Sequence, residues 1–269
     1  MRLCSPLLPH RALPALAVLL LAGAQAAPTL HLSGEVSDPS GSLRQMLTLA
    51  RQACVQAKQV GGGSASGGGA VPDDVGRYRF EAFYALGRYA RYETGPDYQV
   101  DMQSCAIVDR GPFRRAVIEA DGSRYKLDMV KGKGSRVPLT DAGRALRAAP
   151  GAEVPGAAAL AALMGANAAH AAEAGAPADA TAAAAAGGGE EQVAGQRCSR
   201  RSLGERGSSC VWQPWPKLPA AQRPVQHVVL KSEVSRGGRP GIRAEVTQIE
   251  LDQPIDAARF QPPAGLRID

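Results

Sequence analysis

The period of the apolar residues changes several times along the chain, and each change predicts an element. From Leu30 to Val36 the segment LHLSGEV alternates apolar and polar positions, as a half-buried strand does. Leu43, Met46, Leu47, Ala50 and Cys54 then recur at three- and four-residue spacing, which predicts an amphipathic helix with Cys54 on its buried face. Residues 27–60 thus form an N-terminal strand and helix. The run GGGSASGGG from Gly61 to Gly69 follows, and residues 61–76 read as a flexible linker. The run matches neither the dinucleotide fingerprint nor the P-loop, so it is not assigned to phosphate.

Residues 77–139 change to strand texture: RYRFEAFYALGRYARYE, then YQVDMQSCAIV, then RRAVIEADGSRYKLDMV. Tyr78, Phe80, Ala82, Tyr84 and Leu86 share one face at period two, and Asp121-Gly122 marks a hairpin turn between two alternating runs. Apolar residues occupy both faces of the stretch from Tyr78 to Tyr92, so both faces need cover. Residues 140–194 form an Ala/Gly-rich insertion, helical from about Val154 to Ala174 by alanine propensity and otherwise loosely ordered. Residues 195–269 return to strands. QHVVLKSEVS and IRAEVTQIELD flank RGGRPG as a long antiparallel hairpin, and Phe260 is expected to anchor the terminal segment to the core.

The start of the chain changes the chemical setting. Residues 1–26 combine a basic beginning, an apolar core from Ala12 to Ala24 and the small-x-small end Ala24-Gln25-Ala26, a secretory signal peptide cleaved before Ala27. The apolar core is shorter than the roughly 20 residues a spanning helix needs. A soluble periplasmic product is therefore expected. Cys54, Cys105, Cys198 and Cys210 remain, an even number in an oxidising compartment, and this predicts disulfides. Four cysteines allow three pairings; the short loop favours Cys198 with Cys210, which leaves Cys54 with Cys105. No metal site is expected, because His31, His170 and His227 are scattered and no C-x2-4-C spacing occurs. A redox C-x-x-C pair is likewise missing.

The whole chain carries a formal charge of +6, which falls by two when Arg2 and Arg11 leave with the signal. This mild basicity without a recognition motif gives no nucleic-acid partner. Arg197, Arg200, Arg201 and Arg206 make a basic loop around the Cys198–Cys210 segment, either solvated charge or a contact for an anionic surface. No G-x-S-x-G, H-E-x-x-H or C-x-x-C occurs, so no catalytic residue and no cofactor is assigned; a hydrolase is the least favoured class. The aromatic stripe is read as core or as a ligand cleft, and Phe80, Phe83, Tyr84 and Leu86 are the candidate apolar contacts.

AGQRC at Ala194–Cys198, CVW at Cys210–Trp212, EVTQIELDQPID and the closing FQPPAG at Phe260–Gly265 occur in an order that resembles the LolA/LolB-like superfamily of exported proteins, in particular the branch ending in F-x-x-P-x-G. The resemblance covers about Arg77 to Asp269. It implies an α+β fold, an antiparallel sheet curled into a half-barrel with covering helices, and carriers of that kind hold acyl chains in the periplasm. The Ala/Gly insertion and the Cys54 and Cys105 pair depart from the pattern. The function expected is non-enzymatic binding of a lipid or acyl chain or of a partner protein, without membrane spanning. The alternative is an envelope interaction module with a packed barrel and a basic loop.

Overall fold

The computed structural model describes residues 27–64, 69–139, 188–204, 207–236 and 239–269. The expected signal segment 1–26, the helix at Val154–Ala174, most of the Ala/Gly insertion and Arg206 lie outside the described residues. Alternation in the sequence becomes alternation in burial. In β1 (Leu30–Ser37), Leu30, Leu32, Gly34 and Val36 are buried, and His31, Ser33 and Glu35 between them are more exposed. There follow α1 (Ser42–Val60), β2 (Tyr78–Ala85), β3 (Arg88–Val100), β4 (Ile107–Ala120), β5 (Ser123–Asp128), β6 (Lys133–Pro138), β7 (Glu190–Val193), β8 (Gln196–Ser202), β9 (Gly207–Trp212), β10 (Val228–Arg236), β11 (Arg239–Leu251) and β12 (Arg267–Ile268).

Among the described residues all twelve strands belong to one curled, unclosed sheet in the order β12-β6-β5-β4-β3-β2-β1-β11-β10-β9-β8-β7. Every junction is antiparallel except the short β12–β6 pair. With α1 as the α-helix among the described residues, this is the expected α+β half-barrel architecture. β1 is the seam: it pairs with β2 on one side and β11 on the other, joining the meander β2–β6 to the meander β7–β11. Gly34 suits the seam because a Cβ there would lie 2.4 Å from the Glu245 carbonyl oxygen and 2.5 Å from the Phe80 ring.

The expected single strand from Tyr78 to Tyr92 is instead a hairpin. Ala85 pairs with Arg88 across the turn Leu86-Gly87, and Gly87 takes φ +71°, which costs a glycine little. Leu86 therefore leaves the period-two stripe and is 53% exposed at the turn. The Asp121-Gly122 turn forms as its sequence predicts, with both residues at positive φ between the paired Ala120 and Ser123.

Two cores form on opposite faces. The inner face carries Leu30, Leu32, Tyr78, Phe80 and Ala82, closed over by Trp212, Leu230 and Val246 from the other meander. That meander curls sharply: β7 contacts β11 although β8, β9 and β10 lie between them, and Glu191 pairs with Lys231. The outer face carries Phe83, Ala85, Ala90, Ile118 and Leu127, capped by Phe260 from the turn Ala257–Phe260. Phe260 is 2% exposed, and burial of a ring this size contributes about 2–3 kcal/mol. Both apolar faces of β2 are thus covered by the chain itself. Cys198–Cys210 bridges neighbouring strands β8 and β9, and Cys54–Cys105 ties α1 to the loop between β3 and β4.

Candidate functional site: a groove beneath the helix

α1 is set by its first turn. The Asp38 carboxylate accepts from the Leu43 amide at 2.6 Å and from the Ser42 hydroxyl, supplying an acceptor to the otherwise unsatisfied N-terminal amides. At the other end Gly61, Gly62 and Gly63 return their amides to carbonyls of the last turn. The apolar stripe Leu43, Met46, Leu47, Ala50 and Cys54 points at the inner face of β3 and β4, yet only Leu43 and Cys54 are buried. Met46 and Leu47 are half-buried, and Ala50 is exposed.

The helix is pinned at its ends and open along its middle. Leu43 and the Arg44–Asp73 pair at 2.9 Å fix the start. The Cys54–Cys105 disulfide and the Lys58 ammonium, which donates to the Gln103 carbonyl, fix the end. Between them lies a cavity of about 350 Å³, within the range of small-molecule sites. Its far wall is Tyr78, Pro96 and Phe113, with Glu93 and Arg115 beside them. Tyr78 meets Phe113 edge-on at 5.7 Å, and the Arg115 guanidinium lies over the Phe113 ring at 5.0 Å.

The polar groups of this wall are unevenly matched. Glu93 pairs with Arg91 at 2.9 Å, and Arg91 also stacks over Phe80. The Tyr78 hydroxyl has no hydrogen-bond partner among the described residues although the residue is only 7% exposed. Burial, and after it the Glu93 carboxylate, push its ionisation well above the usual tyrosine range. The groove therefore joins apolar surface to one buried donor and a rim of mixed charge, the guanidiniums of Arg77 and Arg115 and the carboxylates of Glu93 and Asp97.

Of the four aromatic and aliphatic candidates taken from the sequence, none lines this groove. Phe80 and Tyr84 face the inner core, Phe83 lies under the C-terminal turn on the outer face, and Leu86 is exposed in the β2–β3 turn. On the outer face His31 stacks on Phe83 at 4.4 Å and its Nδ1 donates to Glu250 at 3.0 Å, which holds the Glu250 carboxyl below its ordinary range. The groove residues Met46, Leu47, Phe113 and Arg115 carried a helical or strand period only, and no period records which inner-face positions remain uncovered.

Arg197 and Arg200 are exposed on β8, and Arg201 is half-buried beside His227. Arg197 reaches Glu190 at 4.0 Å, so part of the basic strand is internally balanced. Among the described residues no three His, Cys, Asp or Glu side chains gather as a metal site, and no helix is long and apolar enough to cross a membrane. Two disulfides fit an exported protein.

No protein-family model and no curated protein matches the chain. Among solved structures it is similar to MucB. The Pseudomonas aeruginosa MucA/MucB complex gives 12% identity and a TM-score of 0.39, covering 91% of this chain and 59% of that one. MucB in complex with MucA(peri) gives 11% identity and a TM-score of 0.35, covering 93% and 59%. MucB alone gives 11% identity and a TM-score of 0.34, covering 91% and 60%. The chain thus spans about three fifths of the length of these MucB chains. Similarity of this degree carries no argument about function, and what the groove does follows from its own residues.

Proposed function

We propose that this is a non-enzymatic periplasmic binding protein of LolA/LolB-like form whose groove beneath α1 holds a single apolar chain, such as an acyl chain, by its polar end and its body together. One observation carries the reading. The helix is anchored at both ends, and its apolar side chains Met46 and Leu47 stand half-covered over a cavity of about 350 Å³ walled by Tyr78 and Phe113. Apolar surface held apart in this way loses burial worth about 25 cal/mol for each Å² left wet, and an apolar guest recovers it. Arg115 and the Tyr78 hydroxyl supply a cation and a donor for a carboxylate or phosphate at the end of such a chain.

A fluorescent fatty acid is expected to bind at micromolar Kd, roughly −8 kcal/mol. Leu47→Trp, which fills the groove from the helix side, should abolish binding while the circular dichroism spectrum stays unchanged. A wild-type protein that binds no probe and carries no lipid on extraction from the periplasm would overturn the proposal. In that case the second reading takes its place: an envelope interaction module, favoured by the inner core packed from its own side chains and by exposed Arg197 and Arg200. Its mark is salt-dependent binding to anionic vesicles that weakens when Arg197, Arg200, Arg201 and Arg206 are replaced.

A further inference from the structure

The two disulfides do different work. Cys198–Cys210 joins β8 to β9, which their ladder already holds side by side. Cys54–Cys105 joins elements with little else between them, because α1 buries only Leu43 and Cys54 along its 19 residues. The receiving loop is built to be held: the Asp101 carboxylate accepts from the Gln103 amide at 3.0 Å and from the Ser104 hydroxyl at 2.7 Å, and Cys105 is fully buried with φ +58°. Among the described residues the Lys58 ammonium on the Gln103 carbonyl reinforces that end, and exposed Met102 borders the Cys54 sulfur through its carbonyl.

We propose that Cys54–Cys105 is a redox-sensitive latch on the groove, an inference that rests on reading the groove as the binding site. Both sulfurs are buried in the closed fold, so a dithiol reductant attacks one of them as thiolate when the end of α1 frays, and then resolves the mixed disulfide with its second thiol. The protein disulfide takes up two electrons and the reductant's two protons to become two thiols, and the reductant leaves as its own disulfide. With the covalent tie gone, the second half of α1 is held, among the described residues, by two exposed side-chain contacts to backbone carbonyls, Lys58 on Gln103 and Arg51 on Gly69, and it opens as a local unit while the sheet stays folded. The oxidised protein has a roofed groove, and the reduced protein has the wall of β3 and β4 without its roof.

The test compares the full chain with C54S/C105S and, as a control, C198S/C210S, by amide exchange resolved along the sequence and by binding of the fluorescent fatty acid. In C54S/C105S, exchange over residues 50–60 should rise by about tenfold or more while residues 89–120 keep their protection, and probe affinity should fall by about tenfold. Wild-type protein treated with a dithiol, its free thiols mapped by alkylation, should behave alike, and C198S/C210S should leave α1 unchanged. Unchanged protection of α1 in C54S/C105S would overturn the latch, as would loss of protection across the whole sheet, which would make the bond a general staple. If α1 loosens as expected but the wild-type chain binds no probe, the binding reading fails and the latch stands.

Discussion

Replacing Tyr78 with phenylalanine isolates the hydroxyl that the fold leaves unmatched at the groove. The ring is 7% exposed and keeps its edge-on contact with Phe113 in either form. A buried hydroxyl without a partner costs about 1–3 kcal/mol, and the low end applies beside a cavity. Tyr78→Phe should therefore be more stable than wild type by about 1 kcal/mol at pH 7. The alkaline side gives a second reading of the same group. Because the folded Tyr78 ionises above the unfolded value of 10.0, its contribution is fully present below pH 10 and is lost as pH rises, the unfolded chain releasing a proton that the fold retains. At pH 11 that loss is about 1.4 kcal/mol, so the advantage of Tyr78→Phe should widen from about 1 to about 2.4 kcal/mol. Urea denaturation followed by the fluorescence of the buried Trp212 and Trp215 measures both points, and the remaining tyrosines cancel in the difference. A gap that does not change between pH 7 and 11 would refute the burial argument. A less stable variant at pH 7 would show that the hydroxyl has a partner. Weaker fatty-acid binding by the stabilised variant would identify the hydroxyl as a group kept for function at a cost in stability.

Gly34→Ala should destabilise by about 3 kcal/mol, since its Cβ meets the Glu245 carbonyl as well as a movable ring; a wild-type Tm would contradict this, and adding Phe80→Ala should not restore it. Phe260→Ala should cost about 3–5 kcal/mol in thermal unfolding by uncovering the outer core, and a loss below 1 kcal/mol would mean that the C-terminal turn is dispensable there. Burial, then Arg201 and Arg223, hold the His227 imidazole below its usual range, so stability present above about pH 6.5 should fall as the unfolded chain takes up a proton. His227→Gln should flatten the profile from pH 6.5 to 5, and an equal slope in both proteins would exclude it. Loss of Cys198–Cys210, which closes 12 residues, should cost about 3 kcal/mol in chemical denaturation, with intact mass showing no free thiol in the wild type.

Local periods made the strands legible. β1, the β4–β5 hairpin with Asp121-Gly122 and the β10–β11 hairpin follow from alternation and turn chemistry, which are properties of neighbours in sequence. The β2–β3 turn was hidden because Leu86 continues the apolar alternation and Gly87 is a single glycine, so the hairpin read as one long strand. The place of β1 between β2 and β11 was not legible, since pairing across more than 200 residues leaves no trace in either strand's own pattern. Phe260 was singled out as a lone aromatic between prolines, and burial at the outer core accounts for it. The groove escaped because its walls are ordinary core residues, and what distinguishes Met46 and Leu47 is the extent to which the sheet fails to cover them.

That shortfall has a cause in the inner face itself. Beside β1 the face is apolar, and the curled meander β7–β11 returns Trp212, Leu230 and Val246 to close it. Further out the cross-strand register places Tyr89, Arg91, Glu93 and Arg115, Glu119, Arg124 on this same face, so apolar surface gives way to charge within two strands. Most of these charges are matched locally, Arg91 with Glu93 and Arg124 with the buried Glu119 at 2.5 Å, and an apolar helix stripe laid on them would add desolvation without offering any of them a partner. α1 packs closely at Leu43 and is tied down at Cys54, and between those points it spans the boundary where Phe113 and Tyr78 meet Arg115. A cavity at such a boundary suits a molecule that is apolar along its length and charged at one end. A wholly apolar guest would leave Arg115 and the Tyr78 hydroxyl facing hydrocarbon, and a wholly polar one would leave Met46, Leu47 and Phe113 wet.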